Sequence, residues 1–219
     1  MTPSLPLDAQ AAVRHLSAAD PVLAQVIARV GPCDVEKPKR VDLFQALLRS
    51  IVYQQLHWKA ASAIHGRVLA LGLKGKTAPA KLADIPDAAL RGAGLSANKL
   101  AAIRDLAAKT GDGTIPTARE IARLGDDELV ARITSVRGIG PWTVHMLMIF
   151  SLGRPDVMPT GDFAIRKAFS LLYRRGRPAT PTALLRHAER WRPRPGVEPG
   201  RDLVEAVDLE GEHQITTRL

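Results

Sequence analysis

A chain of 219 residues with 31 Lys and Arg against 22 Asp and Glu, a formal charge of +9, can bury a core in one domain or two small lobes. The basic excess, spread along the chain rather than gathered in a tail, points to a folded surface for a polyanion, most commonly nucleic acid. The single cysteine, Cys33, excludes an intrachain disulfide and any cysteine-ligated zinc or iron–sulfur cluster, and it fits a reducing compartment. No apolar run approaches the ~20 residues of a membrane span. No basic stretch followed by an apolar one opens the chain. A cytoplasmic, nucleoid-associated protein with no membrane partner is the expectation.

Helical periodicity dominates and no strand of alternating apolar residues interrupts it, so the expected fold is all-α. Over residues 8–30, Ala12, Leu16, Val22, Leu23, Val26, Ile27 and Val30 recur at helical spacing, and Asp20-Pro21 breaks the run and starts a second helix. Gly31-Pro32 ends it, and a Lys-rich stretch leads to Arg40. From Val41, the positions Phe44, Leu47, Leu48, Ile51 and Val52 mark an amphipathic helix ending near Gln54-Gln55. Residues 58–71 predict another, with Ala60, Ala61, Ile64, Val68 and Leu69 on one side. Gly72, Gly75 and Pro79 predict a loop, and Pro86–Leu90 a short helical turn. Ser96 is placed to cap the next helix, which carries Leu100, Ile103 and Leu106, with Gly111 as its terminal glycine. Asp126 or Asp127 opens a helix containing Leu129, Val130 and Ile133. After a glycine turn, Val144 to Leu152 is nearly all apolar, the pattern of a helix buried on every side, and Gly153 and Pro155 stop it.

That glycine turn, Val136-Arg137-Gly138-Ile139-Gly140-Pro141-Trp142-Thr143, bends sharply and exposes main-chain N–H groups at the start of the following helix. There the macrodipole also favours an anion such as a DNA phosphate. The same residues also suit an ordinary loop between packed helices. Asp162 follows twenty positions after Trp142 and directly precedes Ala164, Ile165, Ala168 and Phe169 at helical spacing. It reads as the N-cap of that helix. Because one carboxylate oxygen suffices for a cap, a second role for the other remains compatible.

Taken in order, Ser50-Ile51-Val52-Tyr53-Gln54-Gln55-Leu56, Gly94-Leu95-Ser96 with Lys99, the glycine turn, and Asp156-Val157-Met158-Pro159 with Asp162 resemble the helix-hairpin-helix (HhH-GPD) DNA glycosylase superfamily. Within it they are most similar to the alkylation-repair 3-methyladenine DNA glycosylases of type II. The resemblance covers roughly residues 40–192. It implies a two-lobed fold with an active-site cleft between the lobes. One lobe would be a helical barrel over residues 42–155, and the other would be built by residues 1–41 and 156–219. It implies a monomeric enzyme that acts on double-stranded DNA containing alkylated bases, flips the base out and hydrolyses its N-glycosidic bond in base excision repair, with no cofactor required.

By the same resemblance, Asp162 is catalytic, facing Trp142 across the cleft, and Met146 lines the base pocket one helical turn after Trp142. Leu56 is the wedge that fills the hole left by the flipped base, although a core leucine at a helix end reads equally well from sequence. Trp58, beside His57, enlarges the wedge or stacks on the opposite strand, and His57 is placed to contact phosphate. Gly138, Gly140, Thr143, Ser96 and Lys99 form the phosphate-binding set. Main-chain carbonyls of Thr134, Val136 and Ile139 would hold a monovalent cation under the hairpin. His65 and His145 are expected to be satisfied structural residues.

Position 142 bears on the reaction. Relatives that also cut the strand carry a lysine there whose amine attacks the sugar, and an indole forms no Schiff base. Trp142 therefore implies base removal with the strand left intact, and its ring offers cation–π stacking to a cationic N3- or N7-alkylated base. As that base leaves, positive charge develops on the sugar, and an ionised Asp162 would stabilise it and orient water.

Three departures stand out. Arg194-Pro195-Gly196-Val197-Glu198-Pro199-Gly200-Arg201-Asp202 replaces an aromatic-rich helix, so the pocket is either more open or built by Trp58 and Met146. A more open pocket would extend the substrates to 1-methyladenine and 3-methylcytosine. Only about forty residues precede the matched region, leaving no room there for the β-rich domain of some relatives. Gly161 stands where many relatives have a second acid. The competing functions are a non-catalytic helix-hairpin-helix DNA-binding module and a glycosylase for mismatched or oxidised bases.

Overall fold

A computed structural model describes residues 9–31, 42–75, 77–154 and 156–192. Arg194–Asp202, the Lys-rich stretch up to Arg40, Cys33 and Pro155 lie outside the described residues. Among the described residues all regular structure is helical, as the periodicity predicts. The chain divides into two compact units, Lys39–Leu147 and Met1–Pro38 with Met148–Leu219.

The Lys39–Leu147 unit is organised on α3 (Leu43–Tyr53) and α7 (Ala97–Gly111), which pack together, with α4 (Trp58–Ala70) against α3 and α5 (Ala78–Asp84) against α7. (The two helices of the other unit that precede them in the chain are α1 and α2.) Asp42 starts α3 by accepting the Gln45 amide at 3.2 Å. Leu47, Leu48, Ile51 and Val52 are then buried along its inner face, each contributing roughly 1.5–3 kcal/mol. Arg104 on α7 closes the corner at α6 (Asp87–Gly92), donating to the Ile85 carbonyl at 2.5 Å, to the Leu82 carbonyl, and to Asp87 at 2.6 Å. α8 (Ala118–Ile121), α9 (Asp126–Thr134) and α10 (Pro141–Phe150) follow.

Three local expectations are corrected here. Residues 72–79 are not all loop, because α5 begins at Ala78 with Pro79 in its first turn, where proline gives up no helical hydrogen bond. Gly111 is the last residue of the helix carrying Leu100, as expected, and Asp112 follows it as the C-cap. Ala60 is exposed, whereas Ala61 and Val68 are buried. Finally, α10 is not buried on every side, since it ends at Phe150, which is 59% exposed. The short α8 escaped the periodicity, although its capping box, Thr117 with Glu120, is a local signal.

In the other unit, α1 (Ala9–Ala19), α2 (Pro21–Val30), α11 (Phe163–Arg174), α12 (Pro181–Ala188) and a 3-10 turn (Glu189–Trp191) share a core of Leu16, Leu23, Phe169, Leu184 and Trp191. Asp20, only 2% exposed, caps α2 through Val22 and Leu23, and it also accepts hydrogen bonds from Tyr173 Oη at 3.0 Å and Trp191 Nε1 at 3.0 Å, with His187 Nε2 at 3.2 Å. Burial alone would push this carboxyl up. The bonds from Trp191, the Leu23 amide, Tyr173 and His187 outweigh it and hold Asp20 below the ordinary carboxylate value. Burial lowers the pKa of His187.

The division between units falls at residue 147/148, inside α10, rather than at 155/156. A continuous apolar helix carries no polar break to mark such a boundary in sequence.

Candidate active site and nucleic-acid interface

In the Lys39–Leu147 unit, the hairpin joining α9 to α10 is anchored by buried Val136 and Ile139, with the Ile139 amide donating to the Val136 carbonyl at 3.0 Å. Arg137, Gly138, Gly140 and Pro141 remain exposed. Gly138 has φ +76°, a conformation costly for a side chain bearing Cβ. Gly140 has no such requirement, because a Cβ there would meet nothing within 4 Å. The amide of half-buried Thr143 lies in the first turn of α10, where main-chain N–H groups have no preceding turn to bond within the helix. The geometry therefore suits an anion held by main-chain donors.

Sequence reasoning missed the bracing of this hairpin. Asp105 accepts the Arg137 amide at 2.7 Å and pairs with Lys109 at 2.7 Å, while Lys109 also donates to the Ser135 carbonyl at 2.5 Å. Burial would raise the Asp105 pKa, but the bonds from Lys109 and the Arg137 amide lower it. On the other side, Gln54 Nε2 donates to the Gly138 carbonyl at 2.9 Å. Lys99 Nζ donates to the Val52 and Gln54 carbonyls at 2.8 Å each. The Lys99 ammonium thus caps the end of α3, a different task from the phosphate contact expected of it, and burial lowers its pKa. Ser96 caps α7 through the Lys99 amide at 3.3 Å.

The segment after α3 turns through Gln55 at φ +55° and presents Leu56, which is 39% exposed and so is not a core leucine. His57 caps α4, its Nδ1 accepting the Lys59 amide at 3.4 Å, and Trp58 is 63% exposed. Gln54 links this segment to the hairpin. For the base release that the resemblance implies, Gln54→Ala is expected to be about tenfold slower, the worth of one ~1.4 kcal/mol hydrogen bond, with the thermal midpoint nearly unchanged. Single-turnover excision kinetics check this, and wild-type kinetics would show that the link is idle.

Trp142, second residue of α10, is 51% exposed and so is not a core aromatic; Met146, one turn on, is half-buried. Among the described residues no cluster of three or more His, Cys, Asp or Glu is poised for a metal. The carbonyls of Thr134, Val136 and Ile139 are neutral oxygen donors, chemistry that suits a hard, weakly demanding cation. His65 is not satisfied as expected: its Nε2 is buried with no hydrogen-bond partner, and burial lowers its pKa. Burial likewise lowers that of His145.

In the other unit, Asp162 caps α11, Oδ1 accepting the Ile165 amide at 2.9 Å, and is half-buried. Beside it Phe163 is 73% exposed. Sequence carried a signal for this residue, since Phe163 is out of phase with buried Ile165, Ala168 and Phe169.

A helix-hairpin-helix with an exposed aromatic at the start of its second helix, in a chain whose later aspartate caps a helix, defines a class. The chain belongs to the HhH-GPD superfamily of base excision DNA repair proteins, whose family model matches residues 48–194. It is 37% identical over 177 residues to DNA-3-methyladenine glycosylase 1 of Schizosaccharomyces pombe, covering 80% of this chain and 78% of that protein. The solved structure of a 3-methyladenine DNA glycosylase from that organism, in complex with abasic DNA, matches with a TM-score of 0.70 at 33% identity, covering 90% of this chain and 95% of the other. A DNA-3-methyladenine glycosidase from Bacillus halodurans matches with a TM-score of 0.81 at 34% identity, covering 92% and 91%.

Proposed function

We propose that this chain is a monofunctional DNA glycosylase that removes alkylated bases, of the 3-methyladenine and 7-methylguanine kind, from double-stranded DNA in base excision repair. The enzyme class and the excision of alkylated bases agree with the relatives named DNA-3-methyladenine glycosylase. The observation that carries the finer reading is the half-exposed indole of Trp142 at the start of α10. It offers an electron-rich face to a cationic base and no amine for strand cleavage.

The remaining roles rest on the family resemblance and agree with the local surroundings. Asp162 stabilises positive charge developing on the sugar and orients the attacking water. Met146 and Trp58 contact the base or its neighbours, and Leu56 enters the stack. Amides at Gly138, Gly140 and Thr143, with Ser96 and Lys99 positioning α3 and α7, hold the backbone. Carbonyls of Thr134, Val136 and Ile139 hold a monovalent cation that supports the hairpin; no further cofactor is required. The substrate range extends to 1-methyladenine and 3-methylcytosine, and the enzyme works as a monomer in the cytoplasm, on the nucleoid. No described helix is long and apolar enough to cross a membrane.

Duplex DNA carrying each methylated base is the test, with freed bases identified by chromatography and borohydride added to trap any covalent intermediate. Free 3-methyladenine and 7-methylguanine, an alkali-labile but intact strand, and no trapped complex are expected. Slower release when potassium is replaced by choline supports the cation. Absence of freed base, or a trapped complex, overturns the reading.

A further inference from the structure

The residues that grip phosphate at the hairpin are not where this chain keeps its positive charge. The segment from Asp126 to Phe150, which holds the hairpin, has three carboxylates, Asp126, Asp127 and Glu128, and two cations, Arg132 and Arg137. The segment 163–188, spanning α11 and α12, has six cations, Arg166, Lys167, Arg174, Arg175, Arg177 and Arg186, and no Asp or Glu. Lys167, Arg175, Arg177 and Arg186 are exposed, and Arg166 and Arg174 are half-buried.

Among the described residues none of the six pairs with a carboxylate. The Nε atoms of Arg166 and Arg174 are buried without an acceptor. A helix C-terminus welcomes cations, which accounts for Arg174 and Arg175. It accounts equally for Arg186 in the last turn of α12, but not for Arg166 and Lys167 in the body of α11 nor for Arg177 beyond it. Like charges left this dense and unneutralised cost stability, and an external polyanion relieves that cost.

We propose that the α11–α12 face is a second contact for the DNA backbone, separate from the hairpin, that lengthens the footprint without reading sequence. It rests on the reading of DNA as substrate given above. The spacing follows from one helix. Asp162 caps the start of α11 and Arg174 ends it, so the two lie ~18 Å apart along the axis at ~1.5 Å per residue. That is the length of about five base-pair steps of ~3.4 Å, too far for the cations at the end of α11 to touch the nucleotide held at Asp162. Arginine and lysine on phosphates position a duplex, and the half-buried guanidinium groups, whose stems are already ordered, lose less freedom on binding than fully solvated ones.

The test is the salt dependence of affinity for an undamaged duplex, read by fluorescence anisotropy on the full chain. The triple reversal Lys167→Glu, Arg177→Glu, Arg186→Glu is compared with a control carrying Lys74→Glu, Lys81→Glu and Arg119→Glu on the other unit. The α11–α12 variant is expected to lose about 2–3 from the slope of log affinity against log salt, at ~0.9 per phosphate contact. It should keep the wild-type single-turnover excision rate at saturating enzyme. The triple Gln variant at the same positions should lose a similar slope, and a thermal melt reports folding of each protein. An unchanged slope overturns the inference, as does an equal loss in the control, which would reveal only the change in net charge. Because the binding measurement uses undamaged duplex, failure of wild-type protein to free any base from methylated duplex would instead strike the glycosylase reading.

Discussion

Asp162→Asn is expected to free no measurable alkylated base, a loss of at least ~10²-fold by analogy with removing one preorganised electrostatic stabiliser, while DNA binding and folding stay at wild-type levels. Asparagine is chosen because it caps a helix about as well as aspartate. The bond that Asp162 Oδ1 accepts from the Ile165 amide at 2.9 Å therefore survives in kind, and only the negative charge is removed. Asp162→Ala separates the two roles from the other side, losing about 1 kcal/mol of stability with the cap as well as the activity. Base release from methylated duplex, anisotropy with undamaged duplex and thermal melts decide the matter together. Wild-type release by the asparagine variant would reduce Asp162 to a cap and leave the catalytic role to another group.

The largest effect on stability is expected at Asp20. Its carboxylate is 2% exposed and joins α2, α11, α12 and the 3-10 turn through the Val22 and Leu23 amides, Tyr173, His187 and Trp191. Asp20→Ala leaves buried donors without an acceptor and is expected to destabilise by about 3–5 kcal/mol. Asp20→Asn keeps the cap but cannot serve every donor, so its loss should be smaller. Because the folded pKa of Asp20 lies below its unfolded value, the unfolded chain binds the extra proton in the window between them. Its stabilisation is thus fully present above the ordinary carboxylate value and is lost as pH falls through the folded one. Urea midpoints from about pH 7 to about pH 3 should fall on the acid side for wild type and less steeply for Asp20→Asn. Equal slopes in the two proteins would show that other carboxylates govern the acid limb.

Much of the fold was legible because helix signals are local. Ser96, Asp20 and Asp162 lie immediately before apolar runs with 3.6-residue spacing, and each accepts an amide no more than three residues on, a reach that sequence displays directly. The hairpin was legible for the same reason, since Gly138 is required by its own dihedral angle. Where the reading failed, competing local rules were at work. Pro79 reads as a loop residue, yet proline is at ease in a first helical turn, and it sits in that of α5. The all-apolar run from Val144 implied full burial, yet apolar surface is common on proteins, and Phe150 is one such residue.

The sequence by itself determined the family, the order of helices, the glycine turn, and the presence of an indole rather than an amine at position 142 and of a carboxylate at position 162. Those features depend on residue identity and on bonds spanning one helical turn. Only the tertiary structure decided what distant partners each group meets. It made Asp20 an acceptor for donors 153 to 171 residues away, and it turned Lys99 onto the carbonyls of α3. It also tied Gln54 to Gly138 across 84 residues and left Leu56 exposed where a core was equally open to it. Such choices belong to packing, since a side chain's burial and partners depend on which helices close over it, and spacing along the chain does not carry that information.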